Sequence, residues 1–171
     1  MNIKRYGLIF LCLLTACGES DKSEIYNENN TNVVNGVVYD INEKPINGLY
    51  KIYYTNGNVK MEVESKNGKP DGKGVFYDED GNVLFEGYFK NGLTNGKMIN
   101  FYPDGSVHNE MYYTDGVQDG VYKTFNKDGT LAVEVTFEKG KAVSGYAIIQ
   151  EHKIEMSSED LNELSSEKQP Q

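Results

Sequence analysis

Four glutamates recur at a single step: Glu62, Glu86, Glu110 and Glu134 stand 24 residues apart. A row of carboxylates is the raw material of glycoside hydrolysis or of cation capture, and the separation of its members tests both. Each glutamate sits at the same place in the second strand of a hairpin, so successive ones are parted by an intervening strand, about 9 to 10 Å at ordinary inter-strand spacing. Retaining glycosidases need about 5 to 5.5 Å and inverting ones about 6.5 to 9.5 Å, so the row lies at or past the limit and is too wide for two members to share a cation. No nucleophile, base and orienting third group can be assembled from the spacing, and His108 reads as a surface residue near Asn100. Neither a catalytic centre, a metal site nor a cofactor is expected. Tyrosine is the better signal, because it offers amphipathic contact area at low entropic cost. Tyr50, Tyr88, Tyr112 and Tyr122, with Tyr54, are placed beside Glu62, Glu86, Glu110 and Glu134 as a candidate recognition face. The alternative is that these rings serve as cross-strand pairs, about 0.2 to 1 kcal/mol each.

What must position this face is an internal repeat. Gly48, Gly72, Gly96 and Gly120 keep the 24-residue step, as do Gly57, Gly81, Gly105 and Gly129, and again Gly68, Gly92, Gly116 and Gly140. An aromatic column (Tyr53, Tyr77, Phe101, Phe125) and an aliphatic one (Val59, Val83, Val107, Leu131) run in phase with them. Positions 59, 61, 63 and 65 and their equivalents are apolar except at Ser65, Gly87 and Asn109, while the residues between are mostly polar. Period two with one wet face means antiparallel strands. The Asn-Gly and Asp-Gly pairs at 56–57, 80–81, 104–105 and 128–129 are hairpin turns. Pro103 favours the three-residue turn with a glycine bulge, because a two-residue turn would set it where a ladder N–H is needed. That turn sets Tyr53 opposite Val59, and by extension puts both columns on one dry face and the glutamates, opposite Tyr50, Gly74, Met98 and Tyr122, on the other. The expected fold is all-β: an elongated single-layer antiparallel β-meander of four 24-residue hairpin repeats, 48–71, 72–95, 96–119 and 120–143, inside a domain spanning 33–150. Val33 to Tyr39 and Tyr146 to Gln150 add capping strands, about ten strands in all, each repeat depending on its neighbours for burial.

The flanks differ in kind. Residues 1–16 carry Lys4 and Arg5, then the apolar run Leu8 to Leu14, the pattern of an export signal. The run is too short to span a bilayer, which takes about 20 apolar residues. Leu14-Thr15-Ala16-Cys17 resembles the lipobox of bacterial lipoproteins. That resemblance implies cleavage between Ala16 and Cys17 and acylation of Cys17, whose chains would anchor the protein at about 0.8 kcal/mol per buried CH₂. The alternative is an ordinary cleaved signal. Residues 17–32 are polar and read as a disordered tether, and 151–171 as a mostly disordered acidic tail, with a short helix over Ser158 to Ser166 anchored by Leu161 and Leu164. Removal of the signal, with two bases and no acid, takes the net charge from −9 to −11. Such a balance argues against nucleic acid, whose binding draws on Lys and Arg.

The unit G-x-x-x-x-aromatic-x-x-[DN]-G-x-[VL]-x-x-E-x-x-x-x-x-G resembles the bacterial variant of the MORN repeat over roughly residues 36 to 145, in chains often assigned to an antitoxin-like family of a toxin operon. The chain departs from that pattern by having Tyr50, Gly74, Met98 and Tyr122 where the family often has Trp, and by adding the lipobox. With the lipobox, the resemblance implies a membrane-anchored, non-catalytic protein-binding or scaffolding module of the cell envelope, on the outer membrane of a diderm cell. The alternatives are an immunity or antitoxin protein neutralising a partner toxin and, more remotely, an enzyme acting on envelope glycans.

Overall fold

The computed structural model describes residues 24–166. The export signal, Ala16, Cys17 and the first part of the tether lie outside the described residues, as do the last five positions of the tail.

The repeats form a meander. Strands β4 (Gly48–Tyr53), β5 (Val59–Lys66), β6 (Lys69–Tyr77), β7 (Val83–Lys90), β8 (Leu93–Phe101) and β9 (Val107–Thr114) follow one another antiparallel. They continue through β11 (Gly120–Phe125), β12 (Leu131–Glu138), β13 (Lys141–Ile149) and β14 (His152–Glu155), with the two-residue β10 (Val117–Gln118) beside β9. One edge is completed by β1 (Glu24–Asn27), which pairs parallel to β4. Among the described residues the result is a twelve-stranded sheet, with β2 (Thr31–Val34) and β3 (Val37–Asp40) as a separate hairpin and one helix, α1 (Ser158–Ser166).

Two turn types alternate along it. At one margin lie the three-residue turns: Tyr54 N–H donates to the Asn58 carbonyl at 2.8 Å and Gly57 N–H to the Tyr54 carbonyl at 3.0 Å, with Gly57 at φ 90°. Tyr53 pairs with Val59, Tyr77 with Val83, Phe101 with Val107 and Phe125 with Leu131, as the bulged turn requires. At the other margin lie two-residue turns with both φ positive, such as Asn67 (51°) and Gly68 (73°), the geometry of a type I′ hairpin. Their glycine N–H groups stitch repeat to repeat: Gly68 to Ile46, Gly92 to Pro70, Gly116 to Thr94 and Gly140 to Gln118, all within 2.8–2.9 Å.

One feature of the ladder overturns the expected faces. Beyond each three-residue turn, Lys60, Leu84, His108 and Ala132 are extra residues in a bulge, so that Ile52 meets Met61 and Lys51 meets Glu62. A one-residue slip exchanges faces. The aromatic column therefore shares the glutamate face, where the Tyr77 hydroxyl donates to Glu62 at 2.8 Å. Tyr50, paired with Val63, and Tyr122, paired with Val135, lie on the opposite, apolar face.

A single layer must still cover that apolar face, and the segments flanking the repeats do so at both ends. At the first, Val38 and Ile46 from the β2–β3 hairpin region bury Tyr50 and Val63, with Ile52, Met61 and Phe89 packed against them. Val38 N–H donates to the Gly68 carbonyl, docking the hairpin onto the first turn. The segment Val33 to Tyr39 is thus a hairpin over the face, not a strand extending the sheet. At the far end Val135 is 0 % exposed and Phe137 meets Tyr122 edge-on, with ring centroids 6.4 Å apart. Met156 approaches Gly145, and Ser165 of α1 accepts from Ala142 N–H at 2.9 Å. The expected disorder of 151–171 is corrected here: residues 152–166 form β14 and α1, and the Ser157–Asp160 capping pair starts the helix. The tether is likewise ordered from Glu24, because β1 finds an unpaired edge on β4.

Candidate functional site

Lysine answers each glutamate. Lys51 pairs with Glu62 at 2.9 Å, Lys73 with Glu86 at 2.7 Å, Lys97 with Glu110 at 2.7 Å and Lys123 with Glu134 at 3.3 Å. The wiring differs along the sheet. In the outer repeats the lysine stands directly across the strand, Lys51 against Glu62 and Lys123 against Glu134. In the inner ones the facing residues are Val75 and Ile99, and the lysine reaches in diagonally from two residues away. The exposed carboxylate row expected from sequence is a Lys–Glu ladder with its charges balanced pair by pair.

The lysines were missed because the expected register set Tyr50 and its equivalents against the glutamates. A signal was nevertheless present: positions 49 and 51 read Leu and Lys, 73 and 75 Lys and Val, 97 and 99 Lys and Ile, 121 and 123 Val and Lys. Each repeat holds one lysine and one aliphatic at these two places, in either order.

The pairing shapes ionisation. The Lys51 hydrogen bond, helped by that of Tyr77, holds Glu62 below its ordinary value. Burial, reinforced by Glu62, pushes the Tyr77 phenol up to about 12. Glu86 in turn raises Lys73. At neutral pH Glu62 is therefore charged and Tyr77 neutral.

Of the eight candidate residues, the structure brings six together: Glu62, Glu86, Glu110, Glu134, Tyr88 and Tyr112. Tyr88 and Tyr112 are 51 % and 40 % exposed, whereas Tyr50, at 8 %, belongs to the core. Each exposed tyrosine lies over a glycine: a Cβ on Gly96 would stand 3.3 Å from that of Tyr88, and one on Gly120 3.0 Å from that of Tyr112. This accounts for Gly96 and Gly120, while a Cβ on Gly72 would run into the Glu64 side chain, and all four glycines of the first column hold φ between 112° and 150°. Beside Tyr112 the surface dips into an open groove of about 450 Å³ with Gly120, Val121 and Asp119 along it and the ladder residues Glu110, Lys123 and Glu134 around them.

Elsewhere the remaining candidates are structural. Tyr54 and Tyr102 donate to the carbonyls of Tyr77 and Phe125 at 2.7 and 2.9 Å, tying each turn to the next repeat. His108, expected near Asn100, lies against the Tyr102 ring with centroids 4.4 Å apart, because it is the bulged residue of its strand.

The architecture defines a class: a tandem-hairpin repeat protein built as one long sheet. The model of one family, the MORN repeat variant, matches residues 46–67, 70–91, 94–115 and 118–139, just over half of the chain, and the chain belongs to that family. These segments keep the 24-residue step and begin at the residues whose carbonyls receive the turn glycines. No curated protein matches the chain.

Proposed function

We propose that this protein is a non-catalytic recognition module held on the cell envelope by an acylated Cys17, and that it binds a protein partner through the ladder face. The observation that carries the reading is the exposure of Tyr88 and Tyr112 on a face whose glutamates are already neutralised by lysine. Such a surface is amphipathic and almost free of unpaired charge, the composition that protein interfaces favour. Support for a binding role over a catalytic one comes from the first rung of the ladder, since Glu62, clamped to Lys51 and held below its ordinary value, is poorly set to deliver a proton. Leu14-Thr15-Ala16-Cys17 supports the anchor, and the resemblance to antitoxin-like chains supports an immunity role if the partner is a toxin.

Crosslinking in intact cells followed by pull-down tests the reading. A partner captured by the wild type and lost in Tyr88→Ala/Tyr112→Ala is the expected result, and capture unaffected by that double change overturns the assignment of the face. Cys17→Ser should release the protein from membranes, and retention there would overturn the anchor.

A further inference from the structure

We infer that the groove beside Tyr112 takes an arginine side chain of the protein partner. This rests on the reading of the ladder face as the contact surface and names the chemistry that one part of it recognises.

Three observations converge. The Tyr112 ring forms one wall and is 40 % exposed, while Gly120, lacking a side chain, and Val121 leave an apolar bed beside it. Glu110 and Glu134 border the groove but are held by Lys97 and Lys123. Asp119 also borders it, and among the described residues no lysine, arginine or histidine lies within ion-pair distance of its carboxylate. Asp119 is fixed there by its own N–H, which donates to the Tyr112 carbonyl at 2.9 Å. Lys139 and Lys141 line a neighbouring groove that Asp119 also touches, accompanied there by Glu138. Taken with its two lysine clamps, the Tyr112 groove is left with one uncompensated negative charge next to an aromatic plane.

A guanidinium answers both features. It stacks flat on an aromatic ring and presents a planar fork to a carboxylate, where an ammonium acts as a point charge. The preceding repeat shows why the site is single. There Tyr88 lies over Gly96 in the same way, but the residue matching Asp119 is Asn95, whose amide donates to Asp115 at 2.9 Å. There ring and notch recur without the carboxylate, and in the first repeat Asp71 holds the matching place but Glu64 stands where the ring would be.

The test is an amide-shift titration of the full ¹⁵N-labelled chain with acetyl-Gly-Arg-Gly-amide and with its citrulline twin, which keeps the shape and removes the charge. The arginine peptide should move the amides of Tyr112, Asp119, Gly120 and Val121, and the citrulline peptide should bind at least tenfold more weakly. Asp119→Asn should weaken the arginine peptide about tenfold, whereas Asp80→Asn, the same charge change on a distant turn, should leave it unaltered. Equal binding of citrulline, an unaffected Asp119→Asn, or shifts spread over exposed acids such as Asp71 and Asp115 would each overturn the inference. The spectrum itself reports whether each variant is folded. Arginine capture without any crosslinked partner would sink the envelope reading and spare the groove. A crosslinked partner indifferent to Asp119→Asn would do the reverse.

Discussion

Glu134 and Val135 are adjacent in β12 and face opposite sides of the sheet. Glu134 is served by one neighbour, Lys123, and needs nothing above it. Val135 is wholly buried, and that burial draws on parts of the chain outside the four matched segments, Gly145 and Met156 among them. The difference teaches how a single-layer sheet is made stable. A ladder face can be left to solvent because its charges are matched rung by rung. An apolar face cannot, and the chain spends the β2–β3 hairpin on one end of it and Met156 with α1 on the other, while Phe76 and Phe85 stack 4.0 Å apart between them. The recognition we propose falls to the face that is free.

The largest effects should therefore come from the covered face. Val135→Asp would bury a carboxylate with no partner, and should lower stability by about 4 kcal/mol or more, against about 0 to 1 kcal/mol for Glu134→Gln beside it. Urea unfolding of the two variants measures the contrast, and similar midpoints would refute it. Gly120→Ala comes next. Its Cβ would meet that of Tyr112 at 3.0 Å in a backbone at φ 119°, so a loss of roughly 2 kcal/mol is expected. At Gly129, φ is 81° but nothing lies within 4 Å, so Gly129→Ala should lose only about 1 kcal/mol. Equal losses would show that the Tyr112 notch is no tighter than an open turn.

How much of this was legible depends on where a residue's signal comes from. Glycine columns, period-two alternation and Pro103 report on local backbone, and they led to the hairpins, the bulged turn and the Tyr53–Val59 pairing. The bulge at Lys60, Leu84, His108 and Ala132 was invisible, because these four residues share no type, and one unseen residue exchanged the faces of everything beyond it. Tyr50 and Tyr122 were lost from the candidate face for that reason alone. The ends were illegible for another cause. Gln150-Glu151 turns the chain into β14 with φ of 48° and 67° and no glycine to announce it, and β1 is ordered only because β4 offers it an edge. Asp119 could not be singled out, since what distinguishes it is the absence of a lysine that the four glutamates of the face possess.

Acid should act on the charged face and its turns before it touches the apolar one. Glu62 is lowered chiefly by Lys51, Asp78 by Asn82, Asp104 by Ser106 and Asp128 by Thr130. Groups lowered in the fold bind more protons when unfolded, so their contribution is complete above about pH 4 to 4.5 and disappears as pH falls through the folded values. The urea midpoint should be level from pH 7 to 5 and drop by pH 3, and Lys51→Met should flatten part of that drop. A profile level down to pH 3 would show that the ladder's pairs do nothing for stability.

The smallest effect is the most informative about the ladder. Inner repeats wire lysine diagonally and outer repeats directly, yet the distances are alike, 2.7 Å for Lys73–Glu86 and 2.9 Å for Lys51–Glu62. If the face requires only one lysine within reach of each glutamate, the two arrangements are interchangeable. Lys73→Val alone strands Glu86 and should lower stability by about 0.5 to 1 kcal/mol, the upper range for an exposed pair. Val75→Lys alone crowds a second cation against Glu86 and should change stability by less than about 0.5 kcal/mol. The double variant Lys73→Val/Val75→Lys rebuilds the direct wiring of the outer repeats, and should return to within about 0.3 kcal/mol of wild type, well short of the sum of its parts. A double variant as unstable as that sum would mean that the diagonal reach past Tyr88 is specific to the inner repeats. The ladder would then be two structures with one charge pattern.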